Sequence, residues 1–205
     1  MSKTRARKIK LLLFDVDGVM TDGKLWIFPR PPLATPAPRL RSGQAPGSVP
    51  SGTLDEIEAK GFHAHDGTAI SLARLGGLNT GLITKRISET VALRARDLKL
   101  GHVYQGVMVK VRVFEEILEK EKLTAAEVAY VGDDVIDLPI MRRCGFAVAV
   151  ANARDEVKEE AHWVTPHAGG DGAIRDAVEY ILRAQGSWDS VVKQYLERGD
   201  ANPGS

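Results

Sequence analysis

Residues 11–21 read Leu-Leu-Leu-Phe-Asp-Val-Asp-Gly-Val-Met-Thr. Four apolar residues run straight into two aspartates spaced one apart, with a glycine directly after them. An unbroken apolar run of this kind suits a strand buried on both faces of a sheet. Two carboxylates at its end repel each other and are costly to hold together unless a cation or a shared proton offsets them. The usual remedy is a divalent metal with oxygen ligands. The segment therefore predicts a metal site at the mouth of a parallel sheet.

The rest of the chain supplies that sheet. Short apolar runs at 9–14, 78–83, 102–104, 128–131, 146–150 and 163–164 read as strands. Helix-patterned segments near 67–75, 88–98, 111–121, 136–142, 155–161 and 173–184 lie between them. Such alternation predicts an α/β fold: a three-layer, Rossmann-like parallel sheet with helices on both faces. Ligands of such sheets bind at the carboxyl ends of the strands. At 205 residues the chain suits one domain, 1–205, and 43% hydrophobic residues suffice for its core.

One stretch breaks the rhythm. Residues 29–52 hold seven of the ten prolines, interleaved with Gly, Ser and Arg, so no regular element is expected there. The flanks, 23–28 and 54–62, read as two strands of a projecting hairpin spanning 23–62, with the Pro-rich insertion as an elongated tip. Trp188, Val191, Val192, Tyr195 and Leu196 form one apolar stripe on a C-terminal helix, followed by a tail, within 187–205. Lys3, Arg5, Arg7, Lys8 and Lys10 read as a solvated basic tail, because the apolar run after them is stopped by Asp15 before it could serve as a secretion signal. The near balance of 28 basic and 27 acidic residues gives no footing for nucleic acid. A single cysteine suits a reducing compartment, and no window is apolar enough for a membrane helix. A cytoplasmic protein without membrane or nucleic-acid partners is expected.

Four chemical features recur at or just beyond the ends of the candidate strands: Asp15-x-Asp17, Thr84, Lys110, and Gly132-Asp133-Asp134-x-x-Asp137. In a parallel sheet all four converge on one edge. The chemistry that needs this set is phosphoryl transfer. Asp15 is placed to attack phosphorus and Asp17 to move the proton of the leaving oxygen and of water. Asp15, Asp133 and a main-chain carbonyl at Asp17 form a candidate Mg²⁺ site. Thr84 and Lys110 would bind phosphoryl oxygens and offset their charge. Taken singly, each motif also reads as a turn, a cap or a solvated charge. Their joint occurrence in this order is what carries the reading.

The chain resembles the haloacid dehalogenase superfamily of phosphatases, whose first motif is Asp-x-Asp-x-[Thr/Val]. Residues 15–23, Tyr104-Gln-Gly106 with Lys110, residues 131–139 and residues 169–175 are similar to the branch that cleaves 3-deoxy-D-manno-octulosonate (KDO) 8-phosphate. The resemblance implies a Mg²⁺-dependent phosphomonoesterase acting on a phosphorylated sugar acid of lipopolysaccharide synthesis through an aspartyl-phosphate. It implies a small hairpin flap without a large cap, and a homotetramer in which a neighbour's hairpin closes the site. It makes Asp15 the nucleophile, Asp17 the acid/base, and Thr84 and Lys110 phosphate-binding catalytic residues. Asp15, Asp17 and Asp133 become the metal site, with Asp134 and Asp137 behind it. Asp66, Gly67, Arg86 and Arg94, together with Asp17 and Lys110, fall where the family contacts substrate. The chain departs from the pattern at Lys85, where the family has glycine, and at His65 and Ser71, where it has arginines.

Alternatives keep the chemistry but change the ester, to another sugar-acid phosphate or an aryl phosphate, as in a carboxylase-associated phosphatase subunit. A signalling receiver domain is disfavoured because no isolated aspartate ends a middle strand. A non-catalytic scaffold has no physical need for the charge cluster. A dinucleotide-binding enzyme would need a Gly-x-Gly-x-x-Gly after the first strand, which is absent.

Overall fold

The apolar run becomes strand β1 (Leu11–Phe14), all four residues of which are buried. The structure, a computed structural model, describes residues 2–29 and 56–198. Apart from Pro29, the Pro-rich insertion lies outside the described residues, as does the tail from 199 onward.

Five further strands join β1 in one sheet: β4 (Asn79–Ile83), β5 (His102–Tyr104), β6 (Val128–Gly132), β7 (Phe146–Ala149) and β8 (Trp163–Val164). Their order is β5-β4-β1-β6-β7-β8, and every pairing is parallel. The chain works outward from β1 through β4 to β5, then crosses back to β6 on the other side of β1. That reversal puts the topological switch point at the carboxyl end of β1, where ligands of such sheets bind. A separate antiparallel hairpin pairs β2 (Trp26–Pro29) with β3 (Glu56–Ala59).

Helices α1 (Ser2–Ala6), α2 (Ala64–Leu75), α7 (Ala173–Gln185) and α8 (Trp188–Arg198) pack on one another. Helices α4 (Lys110–Glu121), α5 (Leu138–Met141) and α6 (Asp155–Glu160) pack along the β6–β7 half of the sheet, and α3 (Glu89–Asp97) follows β4. Central strands β1, β6 and β7 are buried throughout, as a sheet covered on both faces requires. Helix α7 shows why a given segment docks. Ile174, Ala177, Val178, Ile181 and Leu182 recur at helical spacing and are all fully buried, and Gly186 ends the helix at φ +75°. No large cap is present among the described residues, and none of their helices is long and apolar enough to cross a membrane.

One expectation is corrected in part: the basic side chains at the start are exposed, as expected, but the segment is docked and not a tail. Residues 2–6 form α1, Ala6 is buried, Arg5 Nη1 donates to the Gly145 carbonyl (3.0 Å) and Arg7 Nε to that of Ala184 (3.1 Å). The long basic side chains satisfy backbone carbonyls while the small residue packs.

Candidate active site

The strand register builds the site. Phe14 lies level with Leu82 on one side and Val131 on the other. Asp15, one residue on, is therefore level with Ile83 and Gly132, and Thr84 and Asp133 follow one residue later. The Asp15 amide continues the ladder to the Val131 carbonyl (3.1 Å), and the Asp15 Oδ1 atom accepts from the Val16 amide (2.7 Å). Thr84 is buried and both its backbone groups are used, by Tyr104 and Val107, so its hydroxyl is what it offers the cleft.

Lys110 begins α4 yet is 5% exposed, because its side chain points inward to the acids. Its Nζ lies 2.6 Å from Asp15 Oδ2 and 2.8 Å from Asp137 Oδ1. The Tyr130 hydroxyl, fully buried, also donates to Asp137 Oδ1 (2.8 Å). The Asp133 amide donates to Asp137 Oδ2 at 3.1 Å. Burial works against the Lys110 charge, but Asp137 and Asp15 outweigh it and hold its pKa above the usual lysine value. Burial and then Asp137 push Asp15 up to about 6, against the pull of Lys110. Burial, followed by Asp137 and Asp15, pushes Asp133 up to about 7. One ammonium among these carboxylates does not balance them, and the cluster takes either protons or a cation.

The donor set fits a hard divalent ion. Carboxylate oxygens of Asp15, Asp133 and Asp137 lie within 4.8 Å of one another. Asp137 is already engaged by Lys110, Tyr130 and the amide of Asp133. Among the described residues, no donor reaches the Asp133 carboxylate. Each Asp137 oxygen already takes two donors, whereas each Asp15 oxygen takes one, so Asp15 and Asp133 keep lone pairs to give, and oxygen-only ligation suits Mg²⁺. The Asp17 carboxylate is held by Lys60 and does not join the three clustered acids, so its contribution to a metal would be the main-chain carbonyl. Gly18 lets the loop pass this close: its φ is +84°, and a β-carbon there would fall 2.0 Å from Asp133 Oδ2.

A cleft of about 300 Å³ opens over these groups, lined by Asp15, Asp17, Thr84, Lys85, Arg86, Asp133 and Asp134 among others. The structure thus brings together Asp15, Asp17, Thr84, Arg86, Asp133 and Asp134, with Lys110 and Asp137 directly behind. Lys85 adds its side chain to the rim. Asp66, Gly67 and Arg94 do not reach this cleft within one chain. Asp66 is buried and its Oδ1 accepts from the Arg175 amide (2.8 Å), capping the start of α7. Gly67 and Arg94 line a different hollow with Ser71, Arg74 and Tyr195, and Arg94 pairs with Asp97 (2.7 Å).

Sequence reading missed two residues of the hairpin. Lys60 Nζ reaches Asp17 Oδ1 at 2.5 Å, and Glu58 accepts from Arg86 Nη2 (2.9 Å) and Ser88 Oγ (2.5 Å). The alternation Ile57-Glu58-Ala59-Lys60 was the available signal. It marks a strand with one charged face, which must be aimed at something charged.

A family model for the haloacid dehalogenase-like hydrolases matches residues 84–176. The chain is 36% identical over 193 residues to the 3-deoxy-D-manno-octulosonate 8-phosphate phosphatase KdsC of Salmonella typhi, spanning 94% of this chain and 89% of that protein. Among solved structures, the corresponding phosphatase from Yersinia pestis is 32% identical with a TM-score of 0.77, over 92% of this chain and 88% of that one. The Moraxella catarrhalis phosphatase, solved with magnesium, phosphate and KDO, is 27% identical with a TM-score of 0.78, over 94% of this chain and 97% of that one.

Proposed function

Because this chain belongs to the haloacid dehalogenase-like hydrolases, in the group of the 3-deoxy-D-manno-octulosonate 8-phosphate phosphatases, we propose that it is a Mg²⁺-dependent phosphomonoesterase that releases KDO and phosphate from KDO 8-phosphate. The observation that carries this reading is the meeting of Asp15, Asp133 and Lys110 at the switch point of the sheet.

Asp15 and Asp133, with the Asp17 carbonyl, would hold the metal. Bound there, Mg²⁺ offsets the repulsion between the acids and an incoming phosphate and stabilises charge on its oxygens. The Asp15 carboxylate attacks phosphorus, forming an aspartyl-phosphate as the ester P–O bond breaks. Asp17 gives its proton to the departing sugar oxygen and then takes one from the water that attacks phosphorus, releasing phosphate and regenerating Asp15. Lys110, fixed by Asp137 and Tyr130, holds positive charge beside the nucleophile without reorganisation. Thr84 donates a hydrogen bond to a phosphoryl oxygen. Arg86 at the rim meets the sugar acid.

Asp66, Gly67 and Arg94 lie apart from the cleft of their own chain, and we assign them to substrate contact across a subunit boundary in a homotetramer. Support comes from the hairpin, where Trp26, Phe28 and Ile57 share one face and are each about half exposed. Such a patch on a two-stranded ribbon fits burial against another copy. We place the enzyme in the cytoplasm, where its single thiol stays reduced.

The test is phosphate release from a panel of sugar-acid, sugar and aryl phosphates with and without Mg²⁺, using Asp15→Asn as control. KDO 8-phosphate should be the preferred ester, with D15N inactive. A wild-type protein that releases phosphate from none of the panel refutes the proposal.

A further inference from the structure

The hairpin reaches the catalytic groups of its own chain through Lys60. The Lys60 side chain is 1% exposed, and its Nζ meets Asp17 Oδ1 at 2.5 Å. A second contact runs from the same Nζ to Glu58 Oε1 at 3.6 Å. Glu58 is tied to the loop after β4 by Arg86 Nη2 (2.9 Å) and Ser88 Oγ (2.5 Å), while its backbone carbonyl accepts from Thr90 Oγ1 (2.9 Å). Arg86 Nε closes the circuit at 3.7 Å from Asp17 Oδ2. Asp17, Lys60, Glu58 and Arg86 thus form a closed ring of alternating charge.

Lys60 does not line the cleft, whereas Asp17 and Arg86 do. A buried ammonium behind a carboxylate, and not beside the substrate, can act on the reaction only through that carboxylate. It engages Asp17 Oδ1 at close range and leaves Oδ2 only the longer approach of Arg86 Nε, with a rotamer fixed by a charge-assisted bond. Asp17 is otherwise a short side chain on a loop, and proton transfer demands its placement within hydrogen-bond reach of the leaving oxygen. Ile57 and Ala59 alternate with Glu58 and Lys60, so the face of β3 turned from the ring is free to meet another copy.

The geometry points to Lys60 as the positioning residue of the acid/base Asp17, resting on the phosphatase reading above. An aryl ester whose leaving group departs unprotonated should barely need it, and an alkyl ester should need it strongly. The kcat/KM of Lys60→Met on KDO 8-phosphate is expected to fall about 100-fold, and that on p-nitrophenyl phosphate less than about threefold, within the range for loss of general acid catalysis. K60R should recover part of the difference. In a D17N background, K60M should cost nothing further on KDO 8-phosphate, because both changes remove one function.

Equal losses on the two esters, or an undiminished effect of K60M in D17N, would overturn the assignment. Should K60M not fold, K60Q supports the same comparison with a shorter polar end. A wild type without Mg²⁺-dependent hydrolysis of either ester overturns the phosphatase reading itself, an outcome distinct from an active wild type whose K60M variant shows no discrimination.

Discussion

Lys110 Nζ stands 2.6 Å from Asp15 Oδ2, with both side chains at most 5% exposed. A buried pair of this kind is weak evidence of net stability, yet removing one partner strands the other. Lys110→Met leaves Asp15 and Asp137 facing each other without a counter-charge. The expected loss is about 3 to 5 kcal/mol of folding free energy, read by urea denaturation without Mg²⁺. Phosphatase activity should fall at least about 100-fold, since the fixed charge beside Asp15, the proposed nucleophile, is gone.

The acids also set a pH dependence. Asp15 is pushed up to about 6 and Asp133 to about 7 from the ordinary 3.8, so the folded chain binds protons that the unfolded chain has released. Stability from these two groups is present in full below the unfolded value and is lost as pH rises through their folded values. Mg²⁺ replaces the protons. Its stabilising effect should therefore be larger near pH 8 than near pH 5, where it must displace them. Differential scanning fluorimetry with and without Mg²⁺ at the two values checks this, and an equal shift at both would refute it.

The sheet was legible because its central strands β1, β6 and β7 are nearly unbroken apolar runs, and the clustered acids because they follow β1 and β6. Asp15, Thr84 and Asp133 needed only parallel register to meet. Lys60 and Glu58 were not legible in that way, since their role depends on a hairpin folding back over the β4 edge. The contact Asp66 makes was not legible for a related reason: the backbone amide it binds belongs to Arg175, over a hundred residues away, and a cap on a distant helix leaves no local pattern. The basic start was misjudged because its anchors are the carbonyls of Gly145 and Ala184, which carry no sequence signal.

Gly18 sets the loop after β1 directly against Asp133. Gly18→Ala would set a β-carbon 2.0 Å from Asp133 Oδ2 at a φ of +84°. Asp133 must move, and with it the oxygen it offers a metal. The Mg²⁺ concentration for half-maximal activity should rise about 10- to 100-fold, as for other disturbed metal surroundings. An unchanged Mg²⁺ titration would contradict this.

Cys144 is 5% exposed and burial pushes its thiol up to about 12. The thiolate is the reactive form, so the native protein should resist a chromogenic disulfide reagent at neutral pH and react fully once denatured. Activity after prolonged exposure of the native enzyme to the reagent should be intact.

The outer surface of the hairpin supports the final expectation. Trp26 is 56% exposed, Phe28 48% and Ile57 43%, and strand register puts these three on one face of a ribbon of only two strands. Glu58 and Lys60, on the opposite face, are fixed to Arg86 and Asp17, so Trp26 and Phe28 cannot turn in without breaking the ring around Asp17. A second copy of the chain is what would cover them. Replacing Trp26 and Phe28 together by Asp sets charges where a neighbour would pack and leaves the β4 loop contacts of Glu58 in place. Light scattering should show the wild type as a tetramer and the double variant as a smaller species. On the proposal that a neighbouring copy's Arg94 contacts the sugar acid, loss of KDO 8-phosphate hydrolysis should exceed loss on p-nitrophenyl phosphate. A wild type that is monomeric at micromolar concentration would remove the subunit-boundary assignment of Asp66, Gly67 and Arg94 while leaving the chemistry of Asp15 and Lys110 untouched.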